Sequence, residues 1–184
     1  VAAGIMVPHP PLIVPDVGRG QEILIKDTIK AYQEAAGMAA ELKPDTIVVI
    51  SPHAVMYADY FHVSPGKEAR GDFGRFMAPQ IGVEAGYDEA FVRELDRLCG
   101  DDDFPMGTEG EREKELDHGT LVPLYFINQH YRDYKLVRIG GSGLSFADHY
   151  RAGRYIARAA ENLGRSVFIV ASGDLSHKLR GDGP

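Results

Sequence analysis

The chain has 184 residues, of which 44% are hydrophobic and 26% are charged, and its formal net charge at pH 7 is −7. This length predicts a single domain covering residues 1–184, with enough apolar residues to form a core. A negative net charge disfavours binding to nucleic acids and to anionic membranes, which requires clustered lysine and arginine. No apolar run approaches the roughly 20 residues of a membrane span. We therefore expect no nucleic-acid partner and no membrane partner.

Cys99 is the only cysteine in the sequence, which excludes an internal disulfide and a cysteine-based zinc site. A single cysteine is typical of proteins from a reducing cytoplasm, so we expect a cytoplasmic protein. The chain starts with Val1 rather than Met and stops after "RGDGP". We therefore expect a piece of a longer polypeptide, truncated at its C-terminal end.

Apolar residues recur with periods that predict alternating strands and helices. In chain order, we expect a strand at 2–7, a helix at 19–42, a strand at 45–51, short strands at 60–66 and 80–85 around a glycine-rich loop at 66–76, a helix at 88–100, a strand at 135–141, a helix at 146–163 and a strand at 166–172. Gly100 and Gly164 mark helix ends. This alternation predicts an α/β fold around a mostly parallel central sheet.

Histidines follow three of the predicted strands. His9, in "MVPHPPL", comes after the first strand, His53 after the second long one and His177 after the last. Ligands of parallel sheets bind beyond the carboxyl ends of the strands, so we expect these imidazoles to share one edge. The prolines beside His9 restrict the backbone and fix the direction of its side chain. His118, in "ELDHGTLVPLYF", lies where a loop enters a helix.

This set of histidines favours a metal site. Neutral imidazole is the commonest ligand of transition metals, and two histidines with one carboxylate and open positions are typical of non-haem Fe(II) oxygenases. A further histidine can act as an acid or base near pH 7. Nucleophilic hydrolysis is less well supported, because neither Ser51 nor Ser172 lies in a G-x-S-x-G elbow. A metal-dependent hydrolase nevertheless fits the same histidines.

Four short motifs resemble, in order, those of the catalytic B-type subunit of class III extradiol ring-cleavage dioxygenases. They are "HPPL", "SPHAVMYADYFHVSPG", "DHGTLVPLYF" and "SGDLSH", and they extend from His9 to His177. The second and third are most similar to an orphan branch, whose members are often fused to or encoded with a small companion domain and a radical-SAM protein. The resemblance implies a three-layer α/β/α fold of the phosphorylase/hydrolase-like kind.

The resemblance also implies roles for individual residues. His9 and His53 correspond to two metal ligands, with Fe(II) the expected metal and Zn the alternative. His177 corresponds to the acid–base histidine that deprotonates a catechol, and His118 to an active-site histidine that contacts substrate or oxygen. In relatives that act on DOPA, the histidine matching His177 joins the metal instead. The implied partners are a catechol-like aromatic substrate and O2, together with a companion domain or a second copy of the chain.

The carboxylate ligand of the family has no match here. The family takes it from a glutamate well downstream of the "SH" histidine, whereas this chain ends seven residues after His177. The candidate substitutes are Asp16, Asp59, Asp117 and Asp174, of which the last two adjoin histidines and can orient them. The alternative to an oxygenase is therefore a metal-binding or protein-interaction domain that has kept the pocket without the reaction.

Overall fold

The computed structural model describes residues 1–112 and 115–173. Its strands are β1 (Ala3–Val7), β2 (Thr46–Ser51), β3 (Phe61–His62), β4 (Glu68–Phe73), β5 (Ala78–Gly86), β6 (Met106–Gly107), β7 (Lys135–Gly140) and β8 (Val167–Ser172). Its α-helices are α1 (Pro15–Gly18), α2 (Lys26–Leu42), α3 (Glu89–Asp101), α4 (His118–Ile127) and α5 (Phe146–Leu163). Short 3-10 helices occupy Pro11–Ile13, Gln21–Ile25 and Gly74–Phe76.

The central sheet has the order β1-β8-β2-β7, and every neighbouring pair in it is parallel. The register pairs Val7 with Ser172 and Ser51 with Gly140, so the four strands end at nearly the same level. Residues that follow β1, β2 and β8 therefore meet at one edge, as expected for a parallel sheet. The remaining strands form two small pairs, parallel β3–β6 and the antiparallel hairpin β4–β5.

Helices cover both faces of the sheet, which gives three layers. Side chains alternate along each strand, so Ile47 and Val49 of β2 pack with α2, α4 and the β4–β5 hairpin. Val48 faces the other way and packs with α3 and α5. Residues of this kind, buried on both sides, explain why the central strands have nearly continuous apolar sequences. The predicted α/β fold with a mostly parallel sheet is confirmed.

The structure differs from the sequence prediction in several places. The strand expected at 60–66 is limited to Phe61–His62. The helix expected at 19–42 begins as a 3-10 helix at Gln21–Ile25 and becomes α-helical only from Lys26. The glycine-rich stretch 66–76, expected to be a loop, contains strand β4 and the turn of a hairpin. The loop assignment at 66–76 was therefore wrong for most of the stretch, because cross-strand pairing with β5 overrides the weak strand propensity of glycine and charged residues.

Cys99 is buried in the cluster beneath α3 and α5. Burial raises the pKa of its thiol to about 12, so it is a packed, unreactive side chain.

Among the described residues, no helix is both long and apolar enough to cross a membrane.

Glycine has opposite effects at two positions of α5. Gly164 ends the helix in the left-handed region at φ 62°, where a side chain is strained, whereas Gly153 lies exposed within the helix, with open space where a methyl group would project. We expect Gly164→Ala to lower the free energy of unfolding by about 1 kcal/mol. Gly153→Ala should raise it by about 0.5–1 kcal/mol. Urea unfolding of both variants measures the difference, and a change of the same sign in both would contradict this account of the helix end.

Candidate metal centre

The ends of β1 and β2 bring His9 and His53 together. Each histidine lies two residues beyond its strand, and both strands point toward the same edge of the sheet. His9 is buried at 4% exposure, whereas His53 is on the exposed side of the cluster. Their Nε2 atoms are 3.1 Å apart, with the rings nearly perpendicular. The predicted convergence of these two imidazoles is present in the structure.

His118 completes the cluster as the first residue of α4. Its ring centroid lies 4.0 Å from that of His53 and 5.4 Å from that of His9. One ring nitrogen from each of the three histidines lies within 4.8 Å of the others. The amino end of α4 therefore supplies a third imidazole to the edge formed by the two strands.

The spacing of these nitrogens suits a metal ion. Two nitrogen ligands each about 2.0–2.1 Å from one metal, at an angle of about 90–110°, lie about 3 Å apart. The observed separation of His9 Nε2 and His53 Nε2 is 3.1 Å. Three imidazoles form a donor set suited to Fe, Zn and Cu alike, so the chemistry of the donors also fits.

A hydrogen bond sets the tautomer of His9. Ser172 Oγ, at the end of β8, donates its hydrogen to the carbonyl oxygen of Gly119, so it can only accept at the 2.9 Å contact with His9 Nδ1. His9 Nδ1 therefore carries the hydrogen, and Nε2 presents a lone pair toward His53. This is the arrangement of a metal-binding histidine whose second nitrogen is held by a neighbouring acceptor.

The carboxylate of Asp117 links the other two histidines. Its Oδ1 accepts hydrogen bonds from Ser51 Oγ at 2.6 Å and from the backbone N–H of Thr120 at 3.0 Å. Its Oδ2 accepts from Thr120 Oγ1 at 2.9 Å. Ser51 Oγ in turn accepts the backbone N–H of His53 at 3.1 Å. Asp117 thus caps α4 directly before His118 and, through Ser51, also fixes the backbone of His53.

Arg138 supports Asp117 from beneath the site. Its side chain is completely buried on β7, with Nη1 3.7 Å from Asp117 Oδ2 and 2.7 Å from the carbonyl oxygen of Glu115. Its Nε donates to Ser64 Oγ at 2.8 Å. A buried guanidinium is retained only when it is paired and hydrogen-bonded, and these contacts satisfy that condition.

Close packing leaves no room for a side chain at position 119. A Cβ atom there would overlap Ser51 Oγ and press against Asp117 Oδ1 and the ring of His53. The "HG" dipeptide at the start of α4 therefore combines an imidazole of the cluster with a glycine that lets the strand ends approach the helix.

His118 lies in an environment that disfavours its charged form. Burial lowers its pKa, and the neighbouring rings of His53 and His9 and the Arg75 guanidinium act in the same direction, against the opposing charge of Asp117. Its imidazole is therefore neutral at physiological pH, which is the form that binds metals and accepts hydrogen bonds.

A cavity of about 740 Å³ opens beside the cluster. His53 and His118 contribute to its wall, opposite Arg70, Arg75 and Phe76 of the β4–β5 hairpin. The Phe76 ring lies edge-on to His118, with centroids 5.5 Å apart. The β4–β5 hairpin therefore lines the space beside His53 and His118.

The other candidate residues have different positions. Asp16 is exposed and accepts a hydrogen bond from Gln80, Asp59 is exposed, and Asp117 is engaged as described. His177 and Asp174 lie outside the described residues, so their expected roles stay predictions. Sequence reasoning gave no positioning role to Ser51, Ser172 or Arg138. The signal available for the two serines was that each is the last residue of a buried strand that precedes a histidine.

Comparison with known proteins gives the family of the chain. Protein CA_C1420 of Clostridium acetobutylicum is 39% identical over 186 residues, which cover 97% of this chain and 40% of that protein. A 3,4-dihydroxyphenylacetate 2,3-dioxygenase of Escherichia coli is 26% identical over 160 residues, which cover 84% of this chain and 57% of the enzyme. The chain thus spans about half the length of these curated relatives. The family model described as the catalytic LigB subunit of aromatic ring-opening dioxygenase matches residues 3–184, and the chain belongs to this family.

Proposed function

We propose that this chain forms the metal-binding catalytic part of an extradiol-type dioxygenase, which uses Fe(II) and O2 to cleave the ring of a catechol-like aromatic. The observation that carries the proposal is the convergence of three imidazole nitrogens within 4.8 Å, beside an open cavity, in a chain of the LigB family. The E. coli relative is named for a reaction on 3,4-dihydroxyphenylacetate, which is a catechol.

In this proposal, His9 and His53 hold the metal. The hydrogen bond from His9 Nδ1 to Ser172 Oγ directs the His9 lone pair toward the metal position, and the Ser51–Asp117 contact holds the His53 backbone. Bound Fe(II) would supply positions at which the two catechol oxygens and O2 meet. A ligand from outside the described residues completes the set.

His118 contacts the substrate or oxygen in this proposal. Its neutral ring, packed edge-on against Phe76, faces the cavity and offers a nitrogen to a hydroxyl group of the substrate. His177 takes the proton from the catechol hydroxyl and returns it during ring opening. Both oxygen atoms of O2 enter the cleaved product, so the reaction consumes one O2 per ring and needs no other reductant.

The first test is oxygen uptake by protein reconstituted anaerobically with Fe(II), using 3,4-dihydroxyphenylacetate and 4-methylcatechol. We expect uptake and the yellow absorbance of a ring-opened product.

His53→Ala should abolish metal binding, measured by elemental analysis. His177→Ala should retain the metal and lose turnover by about 10²–10⁴-fold, the usual contribution of acid–base catalysis.

The matched control is His130→Ala, an exposed histidine just beyond the far end of α4. This variant should keep both metal content and turnover. Equal loss of metal in His53→Ala and His177→Ala would place His177 among the ligands. Metal binding without oxygen uptake would favour the metal-binding domain without the reaction, and zinc-supported activity without oxygen demand would indicate a hydrolase.

The second test concerns the support of His9. Ser172→Ala removes the acceptor of His9 Nδ1, and we expect metal affinity to fall about 10–100-fold, as it does when such supporting contacts are lost elsewhere. Ser145→Ala is the matched control, because it removes the cap of α5 and lowers the free energy of unfolding by about 1 kcal/mol without contacting His9, His53 or His118. Competition with a chromophoric chelator measures the affinity, and an equal loss in both variants would show that the effect is only one of stability.

A further inference from the structure

On the side of α3 and α5, the cover of the central sheet is incomplete. Val48 of β2 has no exposure there, but among the described residues the cover does not extend across β8 to the edge strand β1. Ile169 and Ala171 of β8 are only partly buried. Their neighbours on β1 in the parallel register are Gly4, which is exposed, and Met6, which is 59% exposed. These four residues form an apolar strip on two adjacent strands.

The same two strands are well covered on their other face. Val7, Phe168 and Val170 are buried in the cluster to which α2 and α4 contribute. A purely parallel sheet is found almost only with both faces covered, because its strands are apolar on both sides. The strip is therefore an incomplete layer rather than an ordinary face turned to solvent.

Helix α5 forms a wall along this strip. One flank of α5 packs on α3, where Asn162 Nδ2 donates to Glu94 Oε1 at 2.7 Å. Helix α3 lies toward β7, because the backbone N–H of its N-cap Asp88 donates to the carbonyl oxygen of Leu136 at 2.9 Å. The flank of α5 that faces away from α3 is therefore directed toward β8 and β1.

This second flank of α5 is also apolar and exposed. Phe146, Tyr150 and Gly153 recur on it at helical spacing, and the two aromatic residues are 94% and 73% exposed. In the described part of the chain, no neighbouring element lies within 4 Å of the point to which a Cβ of Gly153 would project. The strip and this flank together form the β1–α5 groove, which consists of Gly4, Met6, Phe146, Tyr150, Gly153, Ile169 and Ala171.

The width of the β1–α5 groove suits a single helix. Neighbouring strands lie about 4.8 Å apart, and an α-helix with its side chains is about 10–12 Å across, so one helix covers two strands. The groove residues carry no charge, which favours a helix with an apolar face. In α/β domains, the helices that cover a parallel sheet come from crossover connections of the same chain.

The relatives indicate a source for such a helix. The matched region is only 57% of the E. coli enzyme and 40% of the Clostridium acetobutylicum protein. Both relatives therefore contain chain in addition to the part that resembles residues 1–184.

We propose that the β1–α5 groove is the docking site of an amphipathic helix from polypeptide outside residues 1–184, which lays its apolar face on Met6 and Tyr150. This helix completes the layer that α3 and α5 begin. Because β1 leads into His9 two residues later, the same helix holds the strand that positions this imidazole. The inference does not depend on the metal or on the reaction.

The test compares the complete product of the gene with the chain 1–184 by oxidation with hydrogen peroxide and mass spectrometry. Oxidation of a methionine side chain requires its exposure, so Met6 should react about tenfold more slowly in the complete product than in the chain 1–184. Met38, which is 45% exposed on α2 in the opposite layer, is the internal control. Its oxidation rate should be the same in both proteins.

A pair of variants tests the position of the helix. Gly153→Glu places a charge in the groove, and it should bring Met6 oxidation in the complete product to within about twofold of the rate in the chain 1–184. Ala147→Glu is the matched control, because it adds the same charge at an exposed position on another face of α5. Met6 should stay protected in it. Circular dichroism of both variants checks that the domain still folds.

Three outcomes would overturn the inference. The first is equal oxidation of Met6 in the complete product and in the chain 1–184. The second is a gene that encodes no polypeptide outside these residues. The third is protection of Met6 in the chain 1–184 itself, increasing with concentration together with a dimer mass in light scattering, which would assign the groove to a second copy.

Discussion

A single buried carboxylate, that of Asp117, joins parts of the chain that are far apart in sequence. It holds Ser51 at the end of β2, Thr120 in the first turn of α4 and, across a longer distance, Arg138 on β7. Two of the three clustered histidines adjoin these contacts: His53 donates its backbone N–H to Ser51, and His118 follows Asp117 in the chain. The relative positions of His53 and His118 therefore depend on the position of the Asp117 carboxylate.

Keeping such a carboxylate away from water is costly unless its partners are arranged in advance. The partners here are two hydroxyl groups, a helix N-terminus and a guanidinium with no solvent exposure. Removing one member of such a network lowers the free energy of unfolding, because each remaining member loses a hydrogen-bond partner in a medium of low dielectric constant. Loss of Asp117 or Arg138 would therefore leave buried partners without their hydrogen bonds beside His53 and His118.

Much of the fold could be predicted from the sequence, because central parallel strands such as 45–51 are continuous apolar runs and α5 begins and ends with strong capping residues. The meeting of His9 and His53 followed from the same logic, since parallel strands end together. Strand β4 could not be predicted, because four of its six residues are charged or glycine, and pairing with β5 makes the segment a strand. The parts played by Arg138 and Ser172 could not be predicted either, since they depend on distances between elements that no local pattern encodes.

The order of strands in the sheet has a consequence for how the protein is made. β8 lies between β1 and β2, although it is synthesised long after both. Until the ribosome has released residues 167–172, the two strands that carry His9 and His53 have no common neighbour to bring them side by side. The cluster of His9 and His53 is therefore assembled late in synthesis, only once β8 has inserted between β1 and β2.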